Sequence, residues 1–159
     1  MKLNGKLGSG KWGAGIDGTY IKSFQTRTFK NDAYEEHVGN WYARDLFVRW
    51  KHTAFATYTE GNWSGTFAQR YTAGYKDEVP AGVVPAGFVA DVKPYITYNL
   101  SGSYTGIKDM TINFALLDMF NRTPSFTAHN VDFAGGAGWD PRVANPLGRR
   151  FSLSASYKF

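Results

Sequence analysis

The sequence contains no cysteine, which excludes disulfides and any metal or redox chemistry that uses thiolates. It has no run of about 18 apolar residues, and its mean hydropathy is −0.38, which excludes a transmembrane helix. The first 13 residues lack the apolar segment of a secretory signal, so we expect either a cytosolic protein or a beginning that lies elsewhere. Basic residues are scattered, with no run longer than Arg149-Arg150, so the net charge of +5 does not predict a nucleic-acid partner.

Motifs for catalysis and for cofactor or metal binding are also missing. The segment GSGKWG at 8–13 fits a dinucleotide fingerprint, but an alternating strand follows it where such a site needs a helix. The histidines His37, His52 and His129 lack the spacing of a metal site, and His52 is expected to be structural. No Ser/His/Asp set or carboxylate pair stands out. We therefore expect no enzyme activity, no cofactor and no metal.

What the sequence does contain is β-forming pattern. Aromatic residues reach 17%, glycines number 18, and charged residues make up only 19%, which favours strands joined by many turns. The segment 151–159 alternates strictly between apolar and polar residues, which is the signature of a strand with one apolar face. Alternation of the same kind begins at Trp12, Leu46, Trp63, Val92 and Met110. With the C-terminal segment, these predict six strands, and residues 1–7 form a weaker seventh.

The connections between these strands alternate in length. Short turns are predicted at 8–10, 60–62 and 106–109, and long loops at about 28–40, 76–91 and 121–146. The strands are about ten or more residues long, enough to cross an apolar band of about 25 Å when tilted. Aromatic residues tend to lie toward the strand ends, as they do at membrane interfaces. The sequence therefore predicts an all-β fold, an antiparallel transmembrane β-barrel in a bacterial outer membrane. Six or seven strands are fewer than the eight of the smallest single-chain barrel, so we expect part of a larger one.

Three segments in the last third of the chain resemble the C-terminus of TonB-dependent outer-membrane receptors. They are VKPYITYNLSGSYTG at 92–106, MTINFALLDMFNRTPSF at 110–126 and WDPRVANPLGRRFSLSASYKF at 139–159. The family commonly has Asn-Leu-Phe-Asp where this chain reads Asp118-Met119-Phe120-Asn121, so the acid and the amide are exchanged at the end of that strand.

The resemblance implies a C-terminal portion, residues 1–159, of a barrel with about twenty-two strands and an N-terminal plug that is absent here. Such receptors import a scarce nutrient, for example a ferric siderophore, cobalamin or a sugar, and TonB would act only through the missing N-terminal part. The expected partners are outer-membrane lipid, the barrel-assembly machinery, the rest of the barrel and its plug, and a small-molecule ligand. The C-terminal assembly signal implied for this chain consists of Phe151, Leu153, Ala155, Tyr157 and Phe159.

Long extracellular loops carry recognition, so the longest predicted loop is the candidate for ligand contact. Its chemistry-bearing residues are Arg122, His129, Asp132, Trp139, Asp140 and Arg142.

Two alternatives remain open at the level of sequence. One is a small autonomous outer-membrane barrel with an adhesive or structural role, and the other is a soluble β-sandwich that binds carbohydrate through aromatic side chains. The side chains of Trp50, Phe67, Tyr98 and Phe114 discriminate, because they face lipid in a barrel of either size and a protein core in a sandwich.

Overall fold

The computed structural model describes residues 1–42, 45–77, 89–129 and 138–159, and over these ranges the chain is all-β. Seven strands form the main sheet: β1 (Lys2–Leu7), β2 (Gly10–Tyr20), β7 (Trp50–Glu60), β8 (Trp63–Thr72), β11 (Tyr95–Ile107), β12 (Met110–Leu117) and β13 (Arg150–Tyr157). Three two-residue ladders lie in the connections: β3 (Gln25–Thr26) with β4 (Glu35–Glu36), β5 (Trp41–Tyr42) with β6 (Asp45–Leu46), and β9 (Tyr75–Lys76) with β10 (Asp91–Val92). No helix long and apolar enough to cross a membrane occurs in these described ranges.

The main sheet is an antiparallel meander in the order β1-β2-β7-β8-β11-β12-β13. The prediction of six strands with a weaker seventh at residues 1–7 is confirmed. The sheet is open: β1 and β13 are its edges, and they do not pair with each other in the part of the chain that the structure describes. An antiparallel sheet is therefore shown, whereas closure into a barrel is not.

Strand lengths and starting points differ in part from the prediction. Strands β2, β7, β8 and β11 have 10 to 13 residues, but β12 and β13 have 8 and β1 has 6. Strand β7 begins at Trp50 rather than Leu46, and β11 begins at Tyr95 rather than Val92. The alternation continues upstream because Leu46 and Val92 pack into an apolar cluster of the loops. Pro94 also has no N–H to extend the β11 ladder.

Connection lengths alternate as predicted. The three short turns each contain a residue in the left-handed region, namely Gly8 (φ 60), Gly61 (φ 55) and Asp109 (φ 58). Left-handed backbone is tolerated by glycine and by short polar residues such as aspartate, which is why these residues close tight hairpins. The long connections span 21–49, 73–94 and 118–149, and antiparallel topology brings all three to the same end of the sheet.

The register gives the sheet one apolar face and one polar face. One line of paired residues crosses all seven strands and is entirely apolar; we call it the apolar row. It consists of Leu3, Ala14, Ala56, Phe67, Leu100, Leu116 and Phe151. The adjacent line lies on the opposite face, is small or polar throughout, and is called the polar row. It consists of Asn4, Gly13, Thr57, Thr66, Ser101, Ala115 and Ser152.

Polar side chains on the apolar face satisfy one another. Trp50 Nε1 donates to His52 Nδ1 at 2.7 Å, so His52 Nε2 carries the ring proton and donates to Gln69 Oε1 at 3.0 Å. Gln69 Nε2 in turn donates to the Tyr98 hydroxyl at 2.9 Å. The His52 ring also stacks on Tyr71 with ring centroids 5.1 Å apart. His52 is thus held by hydrogen bonds and packing, as the structural role expected for it requires.

The buried apolar residues do not lie on the sheet. All five in the described ranges belong to the long connections: Val38, Val48, Tyr75, Val92 and Ala144. Val48, Tyr75 and Val92 pack together, with Trp41, Leu46 and Val143 against them. The hydrophobic core therefore sits at the long-loop end, and the described residues place no second layer over the apolar face.

Candidate functional site

The three long connections are joined to one another at the end of the sheet. Gly39 donates its N–H to the carbonyl of Phe47 at 2.7 Å, and Lys76 donates to the carbonyl of Gly39 at 2.8 Å. Tyr75 from the second connection donates its hydroxyl to Thr127 Oγ1 of the third at 3.1 Å. Because backbone and side-chain bonds cross between loops, the described parts of the loops form one packed structure.

At the centre of this structure lies a buried charged group, which we call the His129 cluster (Asp77, Thr127, His129, Asp140 and Arg142). His129 Nε2 lies 2.9 Å from Asp140 Oδ2, and Nδ1 contacts both Asp77 Oδ1 and, at 2.7 Å, Thr127 Oγ1. The side chains of His129 and Asp140 are 0% exposed. Both ring nitrogens of His129 therefore face a carboxylate oxygen, one from Asp77 and one from Asp140.

Arg142 supplies a positive charge to the His129 cluster. Its Nη2 donates to Asp140 Oδ2 at 2.6 Å and its Nε to Asp140 Oδ1 at 3.0 Å, the two-pronged geometry that guanidinium and carboxylate favour. Burial would raise the pKa of Asp140, but hydrogen bonds from Arg142 and His129 outweigh it and lower that pKa below its usual value of 3.8. The Arg142 guanidinium thus compensates the charge that the Asp140 carboxylate buries.

Aromatic rings enclose the His129 cluster. The indole of Trp41 stacks on the imidazole of His129 with centroids 4.7 Å apart and planes inclined by 23°. Burial raises the pKa of Tyr75 to about 12, so its hydroxyl stays protonated and remains a donor to Thr127. These rings come from the first and second connections, so all three long loops contribute to the surroundings of His129.

Asp118 and Asn121 both build the turn after β12. They are the acid and the amide that stand in exchanged order relative to the receptor family that the sequence resembles. Asp118 and Asn121 adopt left-handed backbone, with φ of 47° and 53°, which aspartate and asparagine tolerate better than other side chains. The Asp118 carboxylate accepts the N–H of Arg122 at 2.9 and 3.0 Å, and Asn121 Oδ1 accepts the N–H of Arg149 at 2.9 Å. The turn is thereby fixed to the start of β13.

Beneath the third connection, the polar face carries a cavity of about 310 Å³. We call it the arginine cavity, because Arg70, Arg142 and Arg150 line it. Arg70 and Arg150 project from β8 and β13, and Arg142 comes from the loop above. The remaining walls are mostly neutral polar strand residues and the loop residues 141–145 and 148. Within the described part of the chain, Asp118 supplies the carboxylate that lines the cavity.

The predicted ligand-contact residues are only partly brought together. His129, Asp140 and Arg142 form one cluster, Trp139 lies half-buried beside Asp140, and Arg122 is exposed at the turn after β12. Asp132 lies outside the described residues. Since the His129 side chain has no exposed surface, it would meet a ligand only if the loops moved, so its direct contact stays a prediction.

Residues that sequence reasoning did not place in a site are Asp77, Tyr95, Arg70 and Arg150. Arg70 was recognisable as a charge on the polar face of a strand, but nothing in the sequence joins it to Arg150. Asp77 lies 52 residues from its partner His129, and no local pattern reports such a pairing.

The predicted assembly-signal residues form the edge of the sheet. Phe151, Leu153, Ala155 and Tyr157 pair with β12 on the apolar face, and the relative exposures of Phe151 and Leu153 are 85% and 74%. Phe159 follows the strand and packs its ring edge against Tyr157 at 5.1 Å.

The described residues show no group of three or more potential ligand side chains arranged for a metal ion. No family model, curated protein or solved structure matches the chain.

Proposed function

We propose that this chain forms part of the wall of a transmembrane β-barrel in a bacterial outer membrane, with its apolar face toward lipid and its polar face toward the lumen. The observation that carries the proposal is the apolar row, which crosses all seven strands and has no protein layer over it in the described ranges. Leu3, Phe67 and Phe151 of that row are 53%, 42% and 85% exposed. An uncovered apolar surface of this extent in water would favour aggregation, whereas lipid hydrocarbon covers it without that penalty.

Aromatic spacing on the apolar face supports a membrane of ordinary thickness. Trp12 and Tyr20 on β2, Trp50 and Tyr58 on β7, and Trp63 and Tyr71 on β8 are each separated by eight residues. At about 3.3 Å per residue and a tilt near 40°, this separation spans about 20 Å along the membrane normal. The apolar band of outer-membrane barrels is about 25 Å tall and has aromatic residues at both borders, so the two sets of rings fit its edges.

The alternative of a soluble sandwich fits this arrangement less well. In a sandwich, Trp50, Phe67, Tyr98 and Phe114 would pack against a second sheet, and the core would lie between the sheets. Phe67 and Phe114 are instead 42% and 40% exposed, and the buried apolar residues belong to the loops.

Among barrel proteins, we propose a TonB-dependent receptor that imports a scarce nutrient such as a ferric siderophore, cobalamin or a sugar. The three C-terminal segments that resemble this family support it, together with the open sheet, since both edges then pair with further strands of a larger barrel. The chain would contribute wall and extracellular loops, and no bond would be broken by it. Its partners would be lipid, the barrel-assembly machinery, the plug and the remaining strands of the barrel.

The membrane orientation can be tested by spin labelling, because the chain has no cysteine of its own. Single substitutions Phe67→Cys and Thr66→Cys place a nitroxide on the apolar and the polar face, one residue apart. In phosphatidylcholine vesicles, we expect the label at 67 to collide mainly with oxygen, which concentrates in hydrocarbon, and the label at 66 mainly with a water-soluble nickel complex.

Both other outcomes of the labelling are informative. A label at 67 that neither reagent reaches would indicate a protein core and support the sandwich. Equal access of the nickel complex to both labels would contradict the proposed orientation.

Gel mobility separates a receptor segment from an autonomous barrel. A closed barrel resists SDS until it is heated, so a heat-dependent shift of this chain alone would favour the small autonomous barrel. We expect no such shift for the chain alone, because both sheet edges need further strands. A shift that appears only when the missing barrel strands are supplied would support the receptor.

A further inference from the structure

The polar face carries positive charge that its surroundings leave uncompensated. Arg70 and Arg150 form no ion pair among the described residues, whereas Arg142 is bound by Asp140. Asp118 is 6% exposed, and its carboxylate accepts the N–H of Arg122. Among the described residues that line the arginine cavity, Arg142 is paired with Asp140 and Asp118 can offset one further arginine, so one positive charge remains. Two exposed guanidinium groups therefore face a space in which their positive charge exceeds the negative charge.

The walls of the arginine cavity are fixed in place. The Tyr95 hydroxyl donates to the carbonyl of Asn145 at 2.9 Å, which ties the overlying loop to the start of β11. Asn99 Oδ1 accepts the N–H of Asp118 at 2.9 Å, and Arg142 is held by its two-pronged bond to Asp140. A cavity whose rim is bonded to the strands loses little conformational entropy when a ligand enters.

Neighbouring groups suit an oxyanion rather than a neutral sugar. A guanidinium presents donors in a planar fork that matches carboxylate and phosphate oxygens. Thr72 and Thr97 add hydroxyl donors on the same face, and the volume of about 310 Å³ is at the lower end of small-molecule sites. Among the described residues, the apolar part of the lining comes mainly from Leu117, Val143 and Ala144, and the charged groups come from the arginines and Asp118.

We propose that the arginine cavity binds the anionic group of a small ligand, a carboxylate or a phosphate, through Arg70 and Arg150. This inference rests on the proposed function in one respect, because the polar face must be the water-filled side of the wall. It deepens that function by naming the ligand class that the long-loop end receives: a small molecule with at least one exposed oxyanion.

Calorimetric titration tests the proposal on the chain refolded in detergent together with the missing barrel strands, with succinate and inorganic phosphate as probes and uncharged succinamide as the reference. We expect at least one anion to bind and succinamide not to bind. Arg70→Gln and Arg150→Gln should each raise the dissociation constant at least tenfold, because each removes a charged donor that faces the cavity. Succinate and phosphate compared with each other show which oxyanion the cavity takes.

Lys11→Gln is the matched control, since it removes one positive charge from the same face near the short turns, far from the cavity. If Lys11→Gln weakens binding as much as the arginine substitutions, or if the unaltered chain binds neither anion, the proposal is overturned.

Should either arginine variant fold poorly, the Arg70 and Arg150 Nε–H resonances of the unaltered chain decide the matter: they shift on titration if the anion binds there and stay in place if it does not. If the unaltered chain binds neither anion while the labels at 66 and 67 show the expected accessibilities, only the anion site is rejected. If an anion binds but the labels do not show those accessibilities, only the proposed membrane orientation is rejected.

Discussion

Replacing His129 with alanine should destabilise the packed loops by about 3–5 kcal/mol, the usual cost of removing one partner from a buried ion pair. The substitution removes the ring that bonds both Asp77 and Asp140, in a region where Asp140 is 1% exposed. The amide of Ala128 bonds to Asp77, and that of Thr127 bonds to the carbonyl of Gly138 at 3.0 Å. Both amides should exchange with solvent roughly 10²- to 4 × 10³-fold faster, since about 1.4 kcal/mol corresponds to tenfold.

His37→Ala is the matched control for this substitution. His37 is also buried, at 3% exposure, but its hydrogen bond is to the Thr26 hydroxyl at 2.7 Å rather than to a carboxylate. It should leave the exchange of Thr127 and Ala128 nearly unchanged. Unaltered exchange in His129→Ala would show that the buried charges do not hold the loops together.

The response of the same amides to acid has a definite sign. The pKa of Asp140 in the folded chain is lower than its value of 3.8 in the unfolded chain. The contribution of Asp140 to stability is therefore fully present above pH 3.8. That contribution is lost as pH falls through the lower folded value. Exchange corrected for its intrinsic pH dependence should therefore be constant down to about pH 4 and accelerate only below it.

Replacing Leu100 with arginine should cost about 2–4 kcal/mol of the free energy of unfolding in vesicles, the penalty for a charge near the middle of the lipid-facing surface. Leu100 lies in the central part of β11 and pairs with Phe67 and Leu116 in the apolar row. Guanidinium titration of the vesicle-inserted protein, followed by tryptophan fluorescence, measures the difference.

Ser101→Arg provides the control one residue away, because Ser101 belongs to the polar row and should tolerate the charge within about 1 kcal/mol. Equal destabilisation by the two substitutions would contradict the proposal that lipid covers one face and water the other. A larger effect at Ser101 would reverse the assignment of the faces.

Strands, faces and connection lengths were predictable because they depend on local pattern. A period of two in the sequence places Leu153 and Ser154 on opposite faces whatever the rest of the chain does. The starts of β7 and β11 were misplaced for the same reason, since Leu46 and Val92 continue the alternation although they pack in loops. Local pattern cannot distinguish an apolar residue that faces lipid from one that the loops bury.

The His129 cluster was predictable only in part. Asp140 and Arg142 are two residues apart, and both were predicted to lie in the same loop as His129. Asp77 reaches His129 across 52 residues, and Trp41 stacks on it from another connection. Such contacts follow from how three loops pack over one sheet end, which has no periodicity for sequence reasoning to detect.

The chain of hydrogen bonds from Trp50 through His52 and Gln69 to Tyr98 has a consequence for pairing specificity. A strand displaced by one residue exposes its polar side chains to the wrong side, but a strand displaced by two keeps every side chain on its proper face. Alternation therefore cannot prevent slippage by two residues among β7, β8 and β11. The bonds between strands can: after such a slip of β8, His52 would lose Gln69, and Gln69 would lose both His52 and Tyr98, within an apolar surface. These side chains thus make one alignment of three strands more favourable than its nearest competitors.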